Sequence, residues 1–181
     1  MILVFGKTGQ VATELQRQAD VTAVDRKQAD LSDPNACAQL IRTLRPSIVI
    51  NAAAYTAVDK AEAEEPLAHV INVDAPGLMA SACAAQDIPF LHLSTDYVFE
   101  GSGETPWTEA DPTNPQNAYG RTKLAGEQAV RASGVRHIIL RTSWVFSSHG
   151  KNFVDTMLRL SDIGNELRVV EDQIGGPTPA S

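Results

Sequence analysis

Five short apolar runs punctuate the chain, at Ile2–Phe5, Val21–Val24, 48–50, 90–93 and 138–140, and polar or turn-forming residues close each one. Runs this brief and rich in branched side chains suit strands buried on both faces, so they predict a parallel sheet. Longer stretches with helical spacing lie between them. The first is Gln10–Gln18; the second is 33–44, where Ser32 or Asp33 can cap and Pro34 fits the opening turn. The Ala-rich stretch 66–86 predicts a long helix that Pro76 should kink or divide, and 117–133 predicts another. Strand and helix alternating in this way predict a doubly wound α/β fold with right-handed crossovers, which binds ligands at the carboxyl ends of its strands.

The pattern breaks at residues 100–117, where Gly101, Gly103, Pro106, Pro112 and Pro115 exclude a long helix or strand. This is a loop, and both a lid over a site and a plain surface connection fit it. Beyond it, Phe153–Ser161 predicts a helix and 167–170 a strand. The turn-rich string that follows, Gly175-Gly176-Pro177-Thr178-Pro179-Ala180-Ser181, has the look of a truncation. The expected organisation is one domain over 1–150 and the start of a second region over 151–181.

Composition narrows the function. The 181 residues, 43% hydrophobic and 20% charged, are enough for one buried core. The net charge of −7, with no local cluster of Lys or Arg, argues against nucleic acid as a partner. A negatively charged ligand would have to be held by backbone dipoles and a few placed cations. No run approaches the roughly 20 apolar residues of a membrane span, and Met1 leads directly into the first strand without a leader pattern, so a cytoplasmic protein is expected. Cys37 and Cys83 lack metal-ligand spacing and should be buried free thiols.

The chemistry begins immediately after the first strand. Gly6, Lys7, Thr8, Gly9, Gln10 and Val11, followed by Ala12, form a Gly-x-x-Gly-x-x-Ala loop that opens a helix, the context in which a Rossmann-type dinucleotide fingerprint has meaning. Gly6 permits the tight turn, Gly9 lets backbone approach a pyrophosphate, and Ala12 lets the helix pack near the strand. Asp25, after the second strand, suits ribose hydroxyls, whereas Arg26 and Lys27 suit a 2′-phosphate, so NADH and NADPH both stay open. Asp30 and Leu31 flank the expected adenine position; Asp30 fits a solvated turn equally well. Asn51, Ala52 and Ala53, with Ala54, follow the third strand and are small enough for a cofactor to lie against backbone.

Tyr119 and Lys123 stand four residues apart in a predicted helix, so they share a face. A phenol of pKa about 10 needs help to exchange protons at neutral pH, and a nearby ammonium would stabilise its phenolate. Taken alone, such a pair more often marks an exposed helix face. The strand at 90–93 delivers Ser94 and Thr95 to the carboxyl edge, where Thr95 could donate to a substrate carbonyl or simply satisfy a local amide. Glycine loop, Asn51, Thr95 and the Tyr119/Lys123 pair occur in the order that brings them to one crevice, which makes coincidence improbable.

Five blocks then carry a resemblance that covers most of the chain: GKTGQV from Gly6, NAAAYTAVDKAE from Asn51, STDYVF from Ser94, YGRTKLAGE from Tyr119 and RTSWVF from Arg141. Together they resemble the dTDP-4-dehydrorhamnose reductase family of extended short-chain dehydrogenases/reductases. The resemblance implies NADPH- or NADH-dependent reduction of the 4-keto group of dTDP-4-dehydro-β-L-rhamnose, a dTDP-sugar, to dTDP-L-rhamnose. It makes Tyr119 the proton donor to the C4 oxygen, Lys123 the ligand of nicotinamide-ribose hydroxyls and Thr95 the residue that polarises the carbonyl. Thr56, Tyr97 and Trp144 match positions that face substrate or nicotinamide, and Asn72 matches one that supports the site; core packing and an ordinary helix polar residue are the plain alternatives. Homodimerisation and a magnesium ion near the subunit contact are further implications, with Glu14, Glu171 and Asp172 as the matching acids. The sequence departs from the family in Ala12, where glycine is frequent, and in length, since a C-terminal substrate-binding region is largely missing. Another nucleotide-sugar reductase, epimerase or dehydratase, or a non-catalytic cofactor-binding regulatory subunit, would share many of these features.

Overall fold

The computed structural model describes residues 1–162, 164 and 169–181. Five parallel strands, β1 (Ile2–Phe5), β2 (Val21–Val24), β3 (Ile48–Asn51), β4 (Phe90–Thr95) and β5 (His137–Thr142), form a sheet in the order β2-β1-β3-β4-β5. Helix α1 (Gln10–Gln18) joins β1 to β2 and α2 (Pro34–Leu44) joins β2 to β3. The connection reverses direction between them, so right-handed crossovers place the two helices on opposite faces and open a switch point between β1 and β3.

Each element has a local cause. Asp33 caps α2 by accepting from the Ala36 amide, Pro34 occupies the first turn, and Arg45 ends the helix in a left-handed conformation. Helix α6 (Ala118–Ala132) starts at Asn117, whose side chain accepts from the Gly120 amide at 2.7 Å. The stretch predicted as one long helix is divided, as Pro76 requires. After α3 (Val58–Ala61), it forms α4 (Glu65–His69), a π-helical turn (Val70–Asp74) and α5 (Ala75–Ala84). Pro76 has no N–H to give the Asn72 carbonyl, and the Ala75 N–H reaches back five residues to Val70, which widens the turn.

Leu3, Phe5, Val49 and Phe90 from the sheet meet Cys37 and Ile41 of α2, Met79 and Cys83 of α5, and Val130 of α6 in one core. Burying each large side chain stabilises the fold by about 1.5–3 kcal/mol. Cys37 and Cys83 are buried free thiols. Ile139 of β5 packs against this core, whereas Ile138 and Leu140 on the strand's other face are 58% and 43% exposed. Beyond the sheet, β6 (Val145–Phe146) pairs with β7 (Thr178–Pro179), and α7 (Phe153–Ser161) lies between them in the chain. The strand predicted at 167–170 falls partly outside the described residues, and Val169 and Val170 belong to no regular element.

Helix α6 is seated by two glycines. A Cβ at Gly120 would lie 2.3 Å from the Tyr97 carbonyl oxygen, and one at Gly126 would lie 2.0 Å from the Asn72 carbonyl oxygen in the π turn. Both contacts are with backbone, which cannot swing aside. We therefore expect Gly126→Ala to lower the unfolding free energy by at least about 1–3 kcal/mol, as overpacking does. Gly176→Ala, where nothing lies within 4 Å, should stay within about 0.5 kcal/mol of wild type. Urea denaturation of the two variants checks this.

Candidate active site

The carboxyl ends of β1, β3 and β4 place three chemical groups side by side. At β1, Gly6 adopts φ +100°, and a Cβ there would meet the Ala52 carbonyl atoms at 3.0 Å, so glycine lets the loop lie on the backbone after β3. Gly6 and Lys7 amides donate to the Val24 carbonyl, and the Gly9 amide donates to Gly6 at 2.8 Å. The first bond of α1 runs from the Thr13 amide to Gly9. The amides of Gln10, Val11 and Ala12 thus have no intrahelical acceptor and sit where a helix dipole attracts an anion. Ala12 is fully buried. Lys7 and Thr8 are exposed at the rim.

Gln10 contributes its backbone here and uses its side chain elsewhere. Its Nε2 donates to the Val145 carbonyl, and its Oε1 accepts from Ser147 and Asn152, so it ties the segment before α7 to the glycine loop.

After β2, the Asp25 carboxylate accepts from the Lys27 and Gln28 amides and braces its own turn. Arg26 is anchored through Nε to Asp30 at 2.9 Å, which leaves its terminal nitrogens facing solvent. Asp30 also accepts from the Ser32 amide; that bond first, then Arg26, holds its carboxyl below the usual range. Leu31 is largely buried, 7% exposed, and belongs to the core.

At β3, Asn51 is buried, accepts from the Ala53 amide at 3.2 Å, and lies 3.2 Å from His92 Nδ1 of β4. Ala52 and Ala53 are half-buried beside the glycine loop. Thr95, at the end of β4, opens a 3-10 turn (Asp96–Val98) and accepts from the Tyr97 amide at 3.3 Å. The Tyr97 and Tyr119 rings meet edge to face with centroids 5.7 Å apart. Burial pushes the Tyr119 phenol up to about 12; the Thr95 hydroxyl works against this, and Asp96 and Tyr97 add to it.

Lys123 shares the helix with Tyr119, but in this arrangement its ammonium points inward. Its Nζ donates to the Leu93 carbonyl at 2.7 Å and lies 3.4 Å from His92 Nε2, with only 2% of the residue exposed. Burial lowers its pKa to about 8, against an opposing pull from Glu127. The phenolate stabilisation suggested by the spacing is therefore not among the influences on Tyr119 here.

The remaining expected residues scatter. Thr56 is exposed, and Trp144, 47% exposed with φ +45°, lies beside Gly175, where an added Cβ would meet its ring at 3.1 Å. The three acids are not brought together within the single chain. Glu14 is paired with Arg17 at 3.1 Å and His149 at 3.4 Å, while Glu171 and Asp172 are exposed in a stretch without regular structure. Among the described residues no group of three or more His, Cys, Asp or Glu could hold a metal.

Three residues do more than the sequence reading assigned. Asn72 accepts from the Tyr55 amide and donates to the Tyr55 carbonyl and Thr122, fastening the segment after β3 to α6. Glu127 is wholly buried, with Ser94 at 2.6 Å and Arg141 and Arg131 around it; burial raises its pKa, and those partners more than offset the rise. His92 links Asn51 to Lys123. A histidine inside an apolar strand run and an acid on the buried face of a helix were the available signals.

Because Lys123 titrates at about 8 in the fold against 10.5 ordinarily, the unfolded chain binds more protons between those values. Its contribution to stability should rise with pH across that window and be flat on either side. Unfolding free energies of wild type and Lys123→Met, compared from pH 7 to 11, should converge or cross in the wild type's favour by on the order of 2–3 kcal/mol.

The family model described as "RmlD substrate binding domain" matches residues 1–181. A dTDP-4-dehydrorhamnose reductase from Salmonella typhimurium is 47% identical over 99% of this chain, which spans 62% of that relative's length. Among solved structures, a dTDP-4-dehydrorhamnose reductase from Clostridium acetobutylicum superposes with a TM-score of 0.94 at 41% identity, covering 99% of this chain and 65% of its own. Another from Bacillus anthracis, in complex with NADP, gives a TM-score of 0.94 at 38% identity, covering 99% and 66%.

Proposed function

The chain belongs to the family described as the RmlD substrate binding domain, and from that membership we propose that it carries the cofactor-binding and catalytic part of a dTDP-4-dehydrorhamnose reductase. The reaction is reduction of the 4-keto group of dTDP-4-dehydro-β-L-rhamnose to give dTDP-L-rhamnose. The observation that carries the reading is the convergence of the Gly6–Ala52 backbone contact, Asn51, Thr95 and Tyr119 at one sheet edge.

These residues fit a nicotinamide dinucleotide. The unbonded amides at the start of α1 suit a pyrophosphate, and the absence of side chains at Gly6 and Gly9 leaves backbone open to it. Asp25 and Asp30 suit the adenosine ribose, and the free end of Arg26 suits a 2′-phosphate, which favours NADPH over NADH. When bound, the nicotinamide supplies the hydride.

The side chains supply the remainder. Thr95 donates a hydrogen bond to the C4 carbonyl oxygen and polarises it. Tyr119 gives that oxygen its proton; burial holds the phenol at about 12 in the ligand-free chain, so the step calls for a cation beside the phenolate. Lys123, turned outward, binds ribose hydroxyls and steadies the phenolate left behind. Thr56, which is exposed, and Tyr97, which packs on Tyr119, would touch the sugar, and Trp144 lines a separate apolar cavity with Phe153 and Val170.

The test is oxidation of NADPH by the full-length protein, followed at 340 nm, with dTDP-4-dehydro-β-L-rhamnose present. Turnover should fall by about 10²–10⁴-fold in Tyr119→Phe, the usual contribution of a positioned acid, while NADPH affinity stays within a few-fold. Cofactor binding without turnover in the wild type would instead identify a regulatory subunit.

A further inference from the structure

His92 lies in the middle of β4, wholly buried, with its ring stacked on Phe90 at 6.2 Å between centroids. It touches both residues that flank the proposed nicotinamide position: Asn51 at Nδ1 and Lys123 at Nε2. The backbone decides where its proton sits. The Ala53 amide is a donor and fixes the Asn51 oxygen toward itself, so the Asn51 Nδ2 must donate to His92 Nδ1. Nδ1 is therefore bare, and neutral His92 carries its proton on Nε2, aimed at the Lys123 amine. Burial first, and Lys123 second, hold His92 well below its ordinary pKa, so it stays neutral.

An ammonium in that place is poorly served. It has three protons and, among the described residues, one acceptor, the Leu93 carbonyl, while a fourth N–H faces it from His92. A neutral amine fits better: one proton goes to Leu93 and the lone pair accepts from His92 Nε2–H. Glu127 favours the ammonium without outweighing burial. Glu127, on the same helix, is engaged by Arg141 of β5 and by Arg131; Glu62 and Glu65 face Arg121; Asp74 of the π turn faces His69. Asp96 and Tyr97 of the 3-10 turn bear on Tyr119.

We propose that His92 is a positioning residue for Lys123: as the Nε2–H tautomer dictated by Asn51, it favours the neutral amine parked against Leu93 while the crevice is empty. When hydroxyl acceptors arrive in the crevice, Lys123 turns outward to them as the ammonium, taking up a proton from solvent where it has lost one. This assignment rests on the proposed function only for the identity of those hydroxyls; the parked state is a property of the ligand-free chain.

The test is NMR on the ligand-free protein, which needs no turnover and so stands or falls separately from the reductase reading. Long-range ¹H–¹⁵N spectra should show His92 neutral with its proton on Nε2 throughout pH 6–9. With ¹³C-labelled lysine, His92→Gln, whose amide oxygen can face Lys123, should raise the Lys123 midpoint by about one unit, a tenfold change in its protonation equilibrium. Asn51→Asp, an acceptor only, should move the imidazole proton to Nδ1. A wild-type Nδ1–H tautomer, or an unchanged Lys123 midpoint in folded His92→Gln, would overturn the proposal; the tautomer measurement decides it even if the variants do not fold.

Discussion

Everything at the candidate site depends on how closely α6 approaches the sheet. Gly120 and Gly126 let its backbone touch the Tyr97 and Asn72 carbonyls, and any side chain at either place would push the helix outward. That seating carries Tyr119 to Thr95 and Lys123 to Leu93 and His92 in one step. Displacement by even 1 Å would separate a proton donor from the atom it serves, and catalytic geometry tolerates little of that.

The same seating is reinforced by buried polar groups. Glu127 joins α6 to β4 through Ser94 and to β5 through Arg141, and Asn72 joins α6 to the segment after β3 through Thr122 and Tyr55. Removing one partner would leave a buried charge or amide unmatched, so these bonds specify one arrangement more than they add net stability. Arg141 extends the network outward: its guanidinium lies 4.8 Å from the Phe99 ring centroid, and Phe99 stacks on Trp107 of the proline-rich loop. The loop is thereby held to the frame that positions the catalytic groups.

Much of this was legible in the sequence because it is local. Strand runs, the cap at Asp33, one of two candidates, and the division near Pro76 follow from neighbouring residues, and β1, β2, α1 and α7 have the predicted bounds. The glycine loop was legible because φ +100° at Gly6 leaves few alternatives to glycine. Non-local features were not. The β6–β7 pair joins segments more than thirty residues apart, and nothing in two-residue strands announces a partner. The inward turn of Lys123 depends on Leu93 and His92 across a helix–strand contact, and the pairing of Glu14 with His149 likewise joins residues that spacing does not connect.

The central claim is that the edge formed by β1, β3 and α6 is a dinucleotide site. Its most direct test is the change in backbone amide resonances on adding NADPH, then NADH, to the ligand-free chain. The account predicts saturable shifts concentrated at residues 6–12, 51–53 and 119–123, with little change on the exposed face of α2. Binding that leaves those three segments unmoved, or no binding of either cofactor, would contradict it.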